Sequence, residues 1–125
     1  MAGEDSMIEA SCHCGAVRLA IARAPDTVTD CNCSICRRYG VLWAYYPTAE
    51  VSVAAPDGGT ETYLWGERKI GFNRCRACGC VTHWSATDPA EDRVGVNARL
   101  MEPAILGAAR VRRLDGAVTW RYLDE

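Results

Sequence analysis

Val17, Leu19 and Ile21 alternate with Ala16, Arg18 and Ala20, the period of two that places apolar side chains on one face of a half-buried strand. Residues 41–46 and 61–65 are rich in aromatic and β-branched side chains, and Pro56-Asp57-Gly58-Gly59 supplies a turn ahead of the second run. Further strands are predicted over residues 70–73, 81–85, 93–97 and 116–122. Only residues 104–109 read as helical, with Pro103 suited to the first turn. The pattern predicts a mainly β fold: a small single domain of antiparallel sheets with cysteine knuckles at strand ends. Residues 1–10 are expected to be a flexible tail and residues 11–125 the domain.

Composition narrows the class. At 125 residues the chain has one domain's worth of core. Hydrophobic residues at 49% and charged residues at 24% fit an ordinary globular protein rather than a disordered one. The formal charge of −2 lacks the basic footprint of a nucleic-acid binder. No apolar run approaches the ~20 residues that would span a membrane. The acidic start, without a basic and then apolar stretch, does not read as an export signal. A cytoplasmic protein with reduced thiols is therefore expected.

That expectation changes how the eight cysteines are read. They fall in three groups: Cys12-His13-Cys14, Cys31-Asn32-Cys33-Ser34-Ile35-Cys36, and Cys75-Arg76-Ala77-Cys78-Gly79-Cys80. Gaps of this size let one tight turn bring two sulfurs onto a single ion, and Gly15 and Gly79 supply the conformational freedom such turns need. Four disulfides are the competing arrangement, disfavoured in a reducing compartment. Spacing pairs Cys12 and Cys14 with Cys75 and Cys78, two short turns facing each other as in a zinc ribbon. Cys31, Cys33 and Cys36 then hold a second ion, with Cys80 nearby. Two zinc ions and eight thiolates would take the net charge to about −6.

The ordered motifs Ser11-Cys12-His13-Cys14-Gly15-Ala16-Val17, Asp30-Cys31-Asn32-Cys33-Ser34-Ile35-Cys36-Arg37-Arg38, Phe72-Asn73-Arg74-Cys75-Arg76-Ala77-Cys78-Gly79 and Val96-Asn97 resemble the glutathione-dependent formaldehyde-activating enzyme family, related to centromere protein V. The resemblance runs from about Ser11 to Leu100. It implies a β-tent-like fold of sheets meeting at an angle, with two zinc ions. By motif, Cys12, Cys14, Cys75 and Cys78 match the structural zinc ligands, and Cys31, Cys33 and Cys36 match those of a second, catalytic zinc. Many relatives lack a cysteine at the position of Cys80. Here it either closes the second site as a fourth ligand or serves as a resting ligand that a substrate thiol displaces.

What the resemblance implies is a zinc-dependent carbon–sulfur lyase-type enzyme acting on glutathione or a glutathione adduct, with S-hydroxymethylglutathione synthesis as its pattern. The partner is glutathione or another small thiol. The alternative is a non-catalytic zinc-stabilised β scaffold that binds another protein, favoured if Cys80 closes the second tetrahedron. Arg37 and Arg38 directly follow the second cluster and are candidates for the tripeptide's carboxylates, or else a solvated pair. Trp43, Tyr45, Tyr46, Trp65 and Trp84 either wall a pocket or fill the core. His83 reads as a satisfied structural histidine, with proton carrier or substitute ligand as the alternative. His13 is expected to point away from the ion. Asn97 and Arg99 carry a role only through the resemblance.

Overall fold

Successive side chains of one central strand serve two different cores. The computed structural model describes residues 7–123, so residues 1–6 of the expected tail lie outside the described residues. Three strands, β1 (Ile8–Ser11), β2 (Arg18–Ile21) and β5 (Val51–Ala54), form a small antiparallel sheet in the order β1-β2-β5. Seven more form the main sheet: β3 (Thr27–Cys31), β4 (Trp43–Tyr46), β6 (Thr60–Leu64), β7 (Ile70–Cys75), β8 (Val81–Ala86), β9 (Val94–Asn97) and β10 (Arg110–Leu114). Their order is β10-β3-β4-β9-β8-β7-β6. Two short helices, α1 (Cys36–Tyr39) and α2 (Pro103–Gly107), complete the elements used below.

Alternation along β4 explains the layering. Ala44 and Tyr46 join a core with Val28, Val94 and Val96, which packs against Val17, Leu19 and Ile21 of the small sheet. Each such fully buried aliphatic side chain is worth about 1.5–3 kcal/mol. Trp43 belongs to a second core with Phe72 and Trp84, and Tyr45 packs against it. This second core contains Cys31, Cys33 and Cys36, whereas Cys12 and Cys75 belong to the first. The two cysteine groups are thus served by the two faces of the main sheet.

Most predicted strands are present, but four expectations are corrected. Ile8 to Ala10 pair with β2 and Ala10 is buried, so these residues are strand rather than tail. Residues 116–122 form a turn joined to β10 by the single Leu114–Tyr122 bridge. The Asp115 carboxylate there accepts both the backbone N–H and the hydroxyl of Thr119, which curls the chain. The last strand is instead β10, and it runs parallel to β3, so the main sheet is not wholly antiparallel. The helix begins at Pro103 and ends at Gly107, one residue earlier at its start and two at its end than the sequence pattern suggests. No helix among the described residues is long and apolar enough to cross a membrane.

Candidate metal centres and active-site cavity

The first cysteine centre is made from two knuckles of similar build. Gly15, with a φ of 82°, lets the chain turn back so that its N–H reaches the Cys12 carbonyl at 3.2 Å. The Val17 N–H then donates to the Cys12 sulfur at 3.3 Å. In the second knuckle Gly79, at φ 84°, donates to the Cys75 carbonyl at 2.9 Å, and the Cys78 N–H donates to the Cys75 sulfur at 3.4 Å. Together they bring the sulfurs of Cys12, Cys14, Cys75 and Cys78 within 4.8 Å of one another.

The sulfur spacing is itself a test of metal fit. A tetrahedral ion with bonds of about 2.3 Å to sulfur requires edges of about 3.8 Å. Cys12 to Cys14 is 3.7 Å and Cys14 to Cys75 is 3.6 Å. The acidities fit a cation as well. N–H groups of Cys80 and Cys14 pull the Cys78 thiol down to about 5. The Ala16 N–H acts in the same sense on Cys14, but the neighbouring sulfurs of Cys75 and Cys12 outweigh it and push that thiol up to about 11. Sulfurs that share protons in this way are those a metal ion would relieve.

The second centre gathers Cys31 from the end of β3, Cys33 from the following turn and Cys36 from the start of α1, with sulfurs again within 4.8 Å of one another. All three are buried. The Cys36 N–H donates to the Cys33 sulfur at 3.4 Å, and the Trp43 indole N–H donates to the Cys36 sulfur at 3.3 Å. The sulfur–sulfur contact with Cys36 is the main cause that lowers the Cys31 thiol to about 6, with N–H groups of Cys33 and Gly116 assisting against burial. The same contact, together with burial, pushes Cys36 up. Gly116 is required here for a steric reason: a Cβ at that position would lie 2.5 Å from the Cys31 sulfur. The turn that carries Gly116 is clasped to the ligand loop by Asn32, whose amide donates to Asp115 at 3.0 Å and accepts from the Ala117 N–H at 2.9 Å.

Three sulfurs would supply three of the four ligands of a tetrahedral ion, and a cavity of about 280 Å³ borders all three cysteines. Of the aromatic candidates, Trp43, Tyr45, Trp65 and Trp84 line it. Tyr46 does not; it lies in the first core, with its hydroxyl donating to the Arg23 carbonyl. Burial raises the Tyr45 phenol to about 12, so it stays neutral.

Several sequence-derived candidates sit elsewhere. Cys80 is absent from the second centre: it packs against the first core, beside Cys78, and accepts from the His13 N–H. The first centre already has four sulfurs without it. Arg38 donates to the Ser34 carbonyl at 2.8 Å and borders a separate hollow, and neither it nor Arg37 lines the cysteine cavity. His83 faces Asn73 and Val96 across the sheet, with Nδ1 2.9 Å from the Thr82 hydroxyl, and it too is absent from the cavity wall. Burial lowers its pKa to about 4, as expected of a structural histidine. Asn97 donates to the Val81 carbonyl at 2.8 Å and accepts from the Arg99 N–H at 3.2 Å, so both residues stabilise a strand end.

The cations that do line the cavity, Lys69 and Arg93, come from loops far in sequence from Cys31, Cys33 and Cys36. Lys69 pairs with Glu67 at 3.1 Å, and the Arg93 guanidinium lies 4.1 Å from the Tyr45 ring centre and 6.0 Å from that of Trp84. Sequence reasoning also missed Phe72 and Trp120 in the wall. Only the aromatic identity of Trp120 could have marked it.

Comparison with known proteins agrees with this architecture. The family described as glutathione-dependent formaldehyde-activating enzyme matches residues 7–111. A crystal structure of a Rhodobacter sphaeroides protein is similar, with 28% sequence identity and a TM-score of 0.68. The similarity covers 83% of this chain and 99% of that one.

Proposed function

The chain belongs to the glutathione-dependent formaldehyde-activating enzyme family, and from that premise we propose that it is a zinc-dependent carbon–sulfur lyase-type enzyme acting on glutathione or a glutathione adduct. Two zinc ions are assigned: a structural one at Cys12, Cys14, Cys75 and Cys78, and a catalytic one at Cys31, Cys33 and Cys36. The observation that carries this reading is the difference between the centres. The four-sulfur set is complete in itself, whereas the three-sulfur set lies in the wall of a cavity. Cys80 was the residue able to close the second tetrahedron and turn the domain into a scaffold, and it lies with the first centre instead.

Bound at the second centre, zinc supplies a Lewis acid that favours the thiolate form of an entering thiol. The other tasks fall to the chain. Trp43 and Gly116 aim N–H groups at the Cys36 and Cys31 sulfurs, which fixes the ligands and draws off part of their negative charge. The aromatic walls keep bulk water from the reacting sulfur. Lys69 and Arg93 stand at the cavity to meet carboxylates of the tripeptide. In the forward reaction the thiol sulfur forms a bond to the aldehyde carbon, and the thiol proton ends on the carbonyl oxygen. The reverse reaction breaks that carbon–sulfur bond and returns the proton.

NMR exchange between formaldehyde plus glutathione and S-hydroxymethylglutathione tests the assignment. Zinc-loaded protein should accelerate exchange above the buffer rate, and Cys33→Ser should lose the acceleration while retaining the first zinc. Exchange no faster than in buffer would contradict the reading.

A further inference from the structure

Formaldehyde contributes one carbon and one oxygen, a volume on the order of a water molecule's ~30 Å³. The cysteine cavity holds about 280 Å³. Its walls also differ from what a glutathione backbone requires. Apart from the cysteines, the charged residues in the lining are Glu67, Lys69 and Arg93, and the remainder is dominated by aromatic and aliphatic side chains. Two of these three charged residues border a second cavity as well. Lys69 and Arg93 are shared with an adjoining cavity of about 440 Å³ that adds Thr87, Asp88 and Glu91. A peptide with two carboxylates and an ammonium group finds complementary charges there. The cysteine end of the space is left to something apolar.

Two tryptophans make that end specific. Trp65 and Trp120 lie on separate loops, both line the cavity, and they are 47% and 68% exposed. Exposed indoles in a cavity wall are surfaces a ligand would cover. Trp120 also has a φ of 60°, a left-handed conformation that bulky residues rarely adopt and that clusters at ligand sites. It is held there by its own N–H, which donates to the Asp115 carbonyl at 2.7 Å. The Trp120 ring then stands 3.5 Å from where a Gly116 Cβ would be, next to the Cys31 ligand. Across the space, the sheet offers Trp43, Phe72 and Trp84.

We infer that the group joined to the substrate sulfur is an aromatic one, held between Trp65, Trp120 and the sheet aromatics, and that the reaction is addition and elimination between a glutathione-type thiol and an aryl aldehyde. The step keeps the balance already given: sulfur bonds to the aldehyde carbon, the thiol proton passes to oxygen, and no electrons are exchanged with a third party. The inference rests on the proposed lyase reading for its chemistry and on the cavity wall for its substrate class.

The two can be separated by using stable thioethers. S-benzylglutathione and S-methylglutathione, titrated calorimetrically into zinc-loaded full-length protein, should differ by roughly tenfold or more in affinity, in favour of the benzyl compound. Trp120→Gly retains a residue suited to positive φ and should bring the ratio close to one with zinc content unchanged. Trp65→Ala should reduce the ratio in the same direction. Equal affinity for the two thioethers in the wild type, or no binding of the benzyl compound, would overturn the aryl assignment even if formaldehyde–glutathione exchange is accelerated. An unaltered preference in both tryptophan variants would overturn it as well. Loss of formaldehyde exchange alone, with the benzyl preference intact, would count against the lyase reading and leave the aromatic subsite standing.

Discussion

Gly116→Ala should weaken the second metal centre without harming the first. The added Cβ would lie 2.5 Å from the Cys31 sulfur and 3.2 Å from the Cys33 Cβ, and both neighbours are buried. Neither can swing aside as the tip of a long side chain would, so the turn or the ligand must move. Overpacking of this kind costs about 1–3 kcal/mol. Movement of the turn would also lengthen the Gly116 N–H contact that helps lower the Cys31 thiol, and loss of such supporting contacts lowers metal affinity about 10–100-fold. Gly107→Ala is the control, because a Cβ there meets nothing within 4 Å. Competition with a graded chelator, read as zinc released per chain, should show two phases in wild type and in Gly107→Ala. In Gly116→Ala one phase should shift to weaker chelator while the other stays in place. Two unshifted phases would refute the argument that close packing of this turn holds Cys31.

Cys80→Ala should leave the zinc content per chain unchanged, since four other sulfurs complete the first centre and Cys80 is absent from the second; loss of one zinc by elemental analysis would show that it is a ligand. His83 gives a pH signature. Its pKa falls from an ordinary 6.5 to about 4 on folding, so below pH 6.5 the unfolded chain takes up a proton that the folded chain refuses. The contribution is complete above pH 6.5 and declines as pH falls toward 4, by up to about 3 kcal/mol. His83→Gln should remove that slope from chemical-denaturation stabilities compared between pH 7 and pH 4.5, and parallel profiles for the two proteins would contradict the assignment.

The cysteine partition was legible because it depends on local turns. Cys12 with Cys14, and Cys75 with Cys78, are each brought together by one glycine-containing knuckle, and Cys31, Cys33 and Cys36 span a single strand-to-helix turn. The place of Cys80 is not legible in the sequence, because a neighbouring irregularity is invisible in composition. Asn73 pairs with His83 but Arg74 pairs with Val81, which leaves Thr82 as an extra residue. Alternation reverses at that point, so Val81 packs with Trp84 in the second core and Cys80 falls on the side of the first. Proximity in sequence misled in the case of Arg37 and Arg38, because the short helix begun by Cys36 buries the cysteine and turns the arginines to solvent. Lys69, Arg93 and Trp120 reach the cavity through long-range sheet pairing, and no local pattern foretells which loops a seven-stranded order will bring together. Residues 116–122 alternate like a strand, yet the Asp115 carboxylate and the left-handed Trp120 curl them into the turn that pads Cys31.

The central claim is that the two cysteine centres differ in coordination, one closed by sulfur and one left for substrate. Anomalous diffraction at the zinc edge from crystals of the reduced, zinc-loaded protein, with and without glutathione, tests it directly. The account predicts two ions per chain: one held by Cys12, Cys14, Cys75 and Cys78 in both crystals, and one held by Cys31, Cys33 and Cys36 that gains the glutathione sulfur as a fourth ligand on soaking. A second ion closed by a fourth cysteine sulfur and unchanged by glutathione would contradict it.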